Sequence, residues 1–291
     1  IMREALGDPR AEPSSTVFQV NRTGSQLMRV PGAPFGTRGG ISFMYNFQAD
    51  GEYQFRAMLH GTPVGDLFGN TPNEEIEVSI DGVRVALLPI DPEMSESSSI
   101  SGLNLSTGSV FVNAGPHRVS AAFLKKQTII VPDDMAEIQH TLIDTDSGDG
   151  QELTVYPHVR EFEISGPHNV SGVSDSEPRR RVFSCRPLSA EGEIPCATQI
   201  VLGLARKAYR RPVTDEDLEG LMLFYNQGRE TGGDFESGIR EALQAMLTSP
   251  DFVFKFEPFP EGTETGQDYY IGDLALASRL SYFLWGSPPD D

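Results

Sequence analysis

Apolar and polar positions change their rhythm partway along the chain. From Ser15 to about Val170 they alternate, as in Tyr53, Phe55, Ala57 and Leu59, in Ile76, Val78 and Ile80, and in Val119, Ala121 and Phe123. A period of two places one set of side chains on one face of a strand, and Gly, Pro, Asn and Asp clusters between the runs supply turns. Ile80-Asp81-Gly82-Val83 predicts a type I′ hairpin between strands 75–80 and 83–88, because Asp-Gly tolerates the positive φ that both central residues need. Gly115-Pro116 turns the chain into a further strand from His117 to Leu124. Many short strands at this spacing predict a jelly-roll-like antiparallel β-sandwich.

Beyond Pro195 the period becomes helical. Ile200, Val201, Leu204 and Ala208 share one side of a first helix ending near Tyr209. Thr214 with Asp217 three residues on forms a capping box, so a second helix starts there; Leu218, Leu221, Met222 and Tyr225 line it, and Gly228, Gly232 and Gly233 are expected to close it. A third opens at Asp234 with Phe235, Ile239, Ala242, Leu243, Met246 and Leu247 inward, and ends at Ser249-Pro250, since the residue before proline is pushed out of the helical region. Three helices with short links predict a compact bundle. A last helix starts near Asp273 with Leu274, Ala277, Leu280, Ser281 and Leu284 at helical spacing.

The fold class that follows is multidomain β + α: a sandwich, then an all-α domain. The expected division is a β-sandwich over 1–170, a crossing segment over 171–194, a helical domain over 195–257, and a loop with the start of a further helical domain over 258–291. The chain does not begin with Met and carries no signal peptide, which reads as an internal portion of a longer precursor.

Charge narrows the partners. Against 23 basic residues stand 42 acidic ones, a formal net charge of -19 that repels nucleic acid and anionic lipid. No run approaches the roughly 20 apolar residues that span a bilayer. The two cysteines, Cys185 and Cys196, are separated by ten residues and flank a loop with Pro187, Gly192 and Pro195; they read either as a disulfide or as two buried thiols. They form no metal knuckle, and no Cys-x-x-Cys-His attachment places a haem in this segment. Arg206, Lys207, Arg210 and Arg211 read either as an anion grip or as partners for Asp215, Glu216, Asp217 and Glu219.

The strings LARKAYRRPVTDEDLEGL, DFESGIREALQAMLTSPDFVFKFE and DLALASRLSYFLWGSPPDD resemble the paired helical domains of unknown function in large secreted proteins first catalogued in planctomycetes, many of which also carry a cytochrome c domain. CRP at 185–187 followed by Cys196 is similar too. Upstream, GTRGG, ADGEYQFRAMLHGTPVGDLFG, EVSIDGVRVALL and AGPHRVSAAF resemble the β-module of the same proteins, akin to calcium-dependent carbohydrate-binding modules. The resemblance implies a periplasmic or extracellular setting, a binding rather than catalytic role, and a carbohydrate or a protein as partner. It also leaves open a structural subunit docked on a membrane-bound electron-transfer complex, and an accessory part of a polysaccharide-active or cytochrome-linked redox enzyme.

Candidate chemistry is sparse. Asp144, Asp146 and Asp149 in DTDSGDG offer hard oxygen ligands for calcium, although an EF-hand register would need glycine at Asp149 and a carboxylate at Val155. Asp66, Glu74 and Glu75 form a second acidic loop, at the sandwich edge where modules of this type hold calcium and sugar hydroxyls. The alternative for both is a solvated acidic turn. His60, His117, His140, His158 and His168 form no zinc-ligand pair by spacing, and no Gly-x-Ser-x-Gly elbow or phosphate-cradling loop assigns a catalytic residue. Tyr53, Phe55, Tyr156 and Phe162 suit either sugar stacking or the core.

Overall fold

A computed structural model of the chain describes all residues except 1, 22–25, 70–71, 98–101, 127–155, 210, 255–261, 263, 265, 267 and 288–291. The chain divides into two compact units, Arg3–Ser176 and Glu177–Asp291.

The first unit begins with a short helix, α1 (Met2–Leu6), followed among the described residues by nine strands. These are β1 (Ser14–Gln19), β2 (Thr37–Phe47), β3 (Asp50–Leu59), β4 (Glu75–Ile80), β5 (Val83–Pro89), β6 (Asn104–Ser106), β7 (Val110–Val112), β8 (Gly115–Leu124) and β9 (Val159–Gly172). One sheet has the order β1-β9-β3-β6, with β7 also on β3; the other runs β2-β8-β4-β5. Every named strand pair is antiparallel. The strands thus form the two antiparallel sheets of a sandwich, as the alternation predicts.

The alternating residues face the core. Tyr53, Phe55, Ala57 and Leu59 from β3 join Ile76 and Val78 from β4 and Val119, Ala121 and Phe123 from β8 in one buried cluster. Phe162 of β9 meets Phe43 of β2 edge-on and stacks with Phe55 of β3, at ring separations of 6.3 and 6.0 Å. Tyr53, Phe55 and Phe162 are therefore core residues rather than a sugar platform. At the predicted hairpin Asp81 has φ 50° and Gly82 φ 79°, and Ile80 pairs with Val83, the geometry of a type I′ turn.

A bulge in β2 decides what enters the core. The register with β8 shifts between Arg38 and Ile41, where Gly39 and Gly40 take φ of 55° and 75°. A Cβ on Gly40 would lie 1.9 Å from the Ala121 carbonyl oxygen, so no larger residue fits there without moving β8. The GTRGG string is thus a backbone device.

The second unit holds α2 (Glu177–Val182), a 3₁₀ turn over Ala190–Gly192, α3 (Glu193–Tyr209), α4 (Asp215–Gly232), α5 (Phe235–Thr248), α6 (Pro250–Val253) and α7 (Asp273–Trp285). The segment expected as a plain crossing contains α2, because Glu177-Pro178 supplies a good helix start and the arginines after it are strong helix formers. Helix α3 starts at Glu193 and not at Pro195; the proline sits in the first turn, where its missing N–H costs nothing. Thr214 caps α4 by accepting from the Asp217 N–H, and the Asp217 side chain accepts in turn from the Thr214 N–H.

One expectation fails in an informative way. Gly228 does not close α4, which continues to Gly232 and ends with Gly233 in the left-handed region. Gly228 is a packing residue: a Cβ there would lie 2.6 Å from the Glu241 side chain and 2.7 Å from the Ser237 carbonyl oxygen on α5. On α5, a Cβ at Gly238 would lie 2.6 Å from the Tyr225 ring. Glycines on both partners let α4 and α5 approach closely around Tyr225, Ile239, Ala242 and Met246, all buried.

Candidate functional site

The acidic residues singled out in the β unit are dispersed by the fold. Glu74 is buried and its carboxylate accepts from the Arg38 guanidinium, itself only 4% exposed. Arg38 lies between two rings, 4.7 Å from the Phe123 centroid and 4.3 Å from that of Tyr156, and also donates to the Gln26 carbonyl oxygen at 3.2 Å. A charge this deep needs such a partner set, because desolvation would otherwise expel it. Asp66 is exposed in a turn in which Thr62 donates its N–H to the Asp66 carbonyl oxygen at 2.7 Å, while Glu75 opens β4 opposite Pro89. Among the described residues no group of three or more His, Cys, Asp or Glu side chains is placed to hold a metal ion. The structure therefore does not gather Asp66, Glu74 and Glu75 into a calcium site; Glu74 serves Arg38 instead. Asp144, Asp146 and Asp149 lie outside the described residues, as does His140.

The remaining histidines have separate jobs. His117 shares a 2.6 Å hydrogen bond with Asp81, whose other carboxylate oxygen accepts from the Arg118 N–H. His158 is 1% exposed, its ring edge-on to Phe68, with no hydrogen-bond partner at Nε2. Burial pulls its pKa down to about 3, helped by neighbouring His60 and Arg38. It is a neutral core residue.

The helical unit is braced by covalent and ionic ties. Cys185 and Cys196 are joined in a disulfide that ties the α2–α3 connection to the first turn of α3. Glu236 on α5 accepts from the buried Arg179 at 2.6 Å and from Arg186 at 2.9 Å, and both guanidiniums lie 5.1 Å from the Phe183 ring. Burial alone would raise the Glu236 pKa, but these two arginines outweigh it and lower it. Glu193 Oε1 accepts from Arg229 at 2.6 Å and from the Tyr225 hydroxyl at 2.8 Å, joining α3 to α4. Of the basic cluster, Arg211 is a structural partner: it donates to Asp217 at 2.7 and 2.9 Å and reaches Asp251 at 3.0 Å. Arg206 and Lys207 are exposed, and Arg210 is not among the described residues.

What this unit leaves on its surface is the candidate site. Helix α7 keeps the small Ser278 and Ser281 at 4% and 2% exposed, while its large side chains are exposed around the helix, including Leu274 and Trp285 on the same stripe as the serines. Leu274, Leu280, Leu284 and Trp285 are 50–74% exposed and Phe283 is 85% exposed. Val253 at the end of α6 and Tyr270 just ahead of α7 add to the exposed apolar area. A globular helix normally hides its leucines and shows its serines. The periodicity of Leu274, Ala277, Leu280 and Leu284 was readable in the sequence; that these residues stand exposed was not, since periodicity marks an apolar stripe and not what covers it.

A groove of about 390 Å³ lies between α4 and α5, lined by Tyr209, Leu221, Phe224 and Ala245 with Glu216 and Glu241 among its carboxylates. Among the described residues, no helix is long and apolar enough to cross a membrane.

Comparison with known proteins adds one domain. Residues 196–257, from the first turn of α3 past α6, match a protein family of unknown function, DUF1595. The match agrees with the resemblance of the helical strings and assigns no activity. No curated protein matches the chain. Among solved structures, the chain is similar to dimeric latent PorU from Porphyromonas gingivalis, at 12% identity and a TM-score of 0.26 over 53% of this chain. The chain spans 12% of that protein's length, and a likeness this slight carries no functional meaning.

Proposed function

We propose that the chain is a non-catalytic binding and scaffolding segment of an extracytoplasmic protein, whose helical unit docks a protein partner through α7. The observation that carries this reading is the run of exposed large apolar side chains along α7, with Leu274, Leu280, Phe283, Leu284 and Trp285 at least half exposed. Apolar surface of this kind stands against water at roughly 25 cal/mol per Å² and is stabilised when another protein surface covers it. An acidic chain of net charge -19 does not carry this face to anionic lipid or nucleic acid. A protein surface is the occupant of matching chemistry.

The Cys185–Cys196 disulfide supports the extracytoplasmic part of the proposal, since such bonds persist where thiols are not kept reduced. The resemblance to planctomycete-type secreted proteins supports it from the sequence side. For the sandwich, the reading is recognition of a carbohydrate or a second protein by surfaces other than the buried aromatics.

The test is a charge placed on the outward face. Leu280→Glu with Phe283→Glu should leave the helical circular dichroism and the melting temperature near wild type, because both side chains are exposed, while abolishing co-purification of a stoichiometric partner from the periplasmic or secreted fraction of the native source. A partner retained at unchanged stoichiometry by the double variant would sink the α7 docking role.

A further inference from the structure

We infer that the free edge of β1 is a seat for an extended, uncharged segment of a partner protein, which joins the β1-β9-β3-β6 sheet as a further strand. The inference rests on the reading of the sandwich as a recognition unit and is independent of α7.

The edge follows from the pairing. β1 ends its sheet and is bonded to β9 alone among the described strands. The Val20 N–H donates to the Arg160 carbonyl oxygen at 2.9 Å, one step past the last ladder pair, Gln19 with Glu161. Backbone direction alternates along an antiparallel ladder, so Thr16 and Phe18 also turn their N–H and C=O groups to β9, while Ser15, Val17 and Gln19 turn theirs away. All three are exposed, and among the described residues no backbone hydrogen bond reaches them from that side. A row of unpaired N–H and C=O groups is completed by another extended backbone.

The other edges carry the usual protection, and β1 does not. β6 and β7 are three residues each. β5 carries Arg84, ends on Pro89 and slips register against β4 between Val78 and Ser79. β2 is bulged at Gly39-Gly40, where the Gly39 N–H is taken by the Met28 carbonyl oxygen at 2.8 Å. Short strands, charges, proline and bulges each discourage an added strand. β1 reads Ser-Ser-Thr-Val-Phe-Gln, without charge or proline, and its register with β9 is unbroken.

Beside the backbone row lies a place for side chains. Phe18 stacks on Phe43 of β2 at 4.0 Å and meets Tyr45 edge-on at 5.9 Å, and all three residues are only partly buried. β1 and β2 are edge strands of opposite sheets, so these rings mark one open side of the sandwich. A strand added to β1 would alternate its side chains, one set over the rings and the other beside Ser15, Val17 and Gln19 on the outer face. Neither β1 nor Ile41–Phe47 of β2 carries a charge, and Glu163, opposite Val17, is already paired with Arg56. The matching segment is therefore apolar toward the rings and neutral outside. A second copy of this chain is a poor occupant, because two bodies of net charge -19 repel.

The probe is a blocked heptapeptide, Thr-Val-Thr-Val-Thr-Val-Thr, titrated into the ¹⁵N-labelled 291-residue chain and followed by amide shifts and amide exchange. The expected result is saturable shifts centred on β1, with exchange slowed at Ser15, Val17 and Gln19. Two N-methylated peptides are the controls, one methylated at the threonines and one at the valines. Methylation of the set facing β1 should weaken binding about tenfold or more and methylation of the other set by less than about threefold, since only one alternate set of N–H groups points at the edge. Val17→Pro removes an N–H that bonds to nothing in the chain, so it should keep the near-ultraviolet signal of the sandwich and lose the peptide. The methylated series is read on the wild-type chain and decides the matter even where Val17→Pro fails to fold. Absence of saturable shifts, equal weakening by both methylated peptides, or binding unchanged in a folded Val17→Pro would each overturn the assignment. A mass of two chains in solution without peptide would overturn it too, by giving the edge to a second copy. Partner co-purification through α7 and retention of the sandwich on a glycan would survive any of these failures, which separates them from failure of the broader reading.

Discussion

Arg211 donates two hydrogen bonds to Asp217, at 2.7 and 2.9 Å, and that same carboxylate accepts from the N–H of Thr214 to close the capping box of α4. The residue that caps the helix is thus also the residue that anchors Arg211 from the preceding basic cluster. The guanidinium and the Thr214 donors hold the Asp217 carboxyl well below the usual carboxylate range.

Replacing Asp217 by Asn should therefore cost about 1–3 kcal/mol, combining a lost cap with a lost charge-assisted pair. The sign with pH follows from the lowered pKa. The contribution is fully present above the unfolded value near 3.8 and is lost as pH falls below it toward the folded value. Urea melts of wild type and variant at pH 7 and near pH 2 check this: the difference should shrink at the acidic end.

His158 gives the opposite residue type with the same direction. Its folded pKa of about 3 lies below the ordinary 6.5, so the unfolded chain binds the proton first and stability falls as pH drops below 6.5. Between pH 6.5 and 5 the loss should be on the order of 2 kcal/mol. His158→Met, which keeps an apolar side chain against Phe68, should flatten the stability of the β unit over that interval. Denaturation followed by the near-ultraviolet signal at each pH measures it.

The bulge glycine and the buried pair behind it form one device. Gly40→Ala meets the Ala121 carbonyl and a left-handed φ together, and should destabilise the sandwich by about 3 kcal/mol or more. Glu74→Gln leaves the buried Arg38 without its counter-charge and should cost about 3–5 kcal/mol. Because both act on the position of Arg38, the double variant should lose less than the sum, which a double-mutant cycle reads directly.

Much of this architecture was legible in the residues. The alternation of Tyr53, Phe55 and Ala57, the Asp81-Gly82 turn, the Thr214 capping box and the Ser249-Pro250 stop each rest on local backbone chemistry, and each stands where that chemistry places it. The misreadings have a common physical origin: they depend on partners distant in sequence. Glu74 reads as a calcium ligand because its partner, Arg38, lies 36 residues earlier, beside the Gly39-Gly40 bulge. Gly228 looked like a stop because its reason, Glu241, is on the next helix. Glu193 and Glu236 are anchors whose arginine partners are distant in sequence, and the only local cue to them is a glutamate in the first turn of a helix. The exposure of the large side chains of α7 carries no local signal at all.

Reduction should act on one unit only. The Cys185–Cys196 bond lies within the helical unit, so dithiothreitol or Cys185→Ser with Cys196→Ser should lower the helical transition by about 3 kcal/mol of stability and leave the sandwich transition unchanged. Calorimetry with and without reductant separates the two.

The central claim is that α7 is a covered surface in the working protein. A photo-crosslinking amino acid placed at Phe283, 85% exposed, and in parallel at Val64, 83% exposed on the β unit, tests it inside the cells that make the protein. The account predicts one discrete crosslinked protein from position 283, absent from position 64 and lost when Leu280→Glu is added. No crosslink from position 283, or the same diffuse products from both positions, would contradict it.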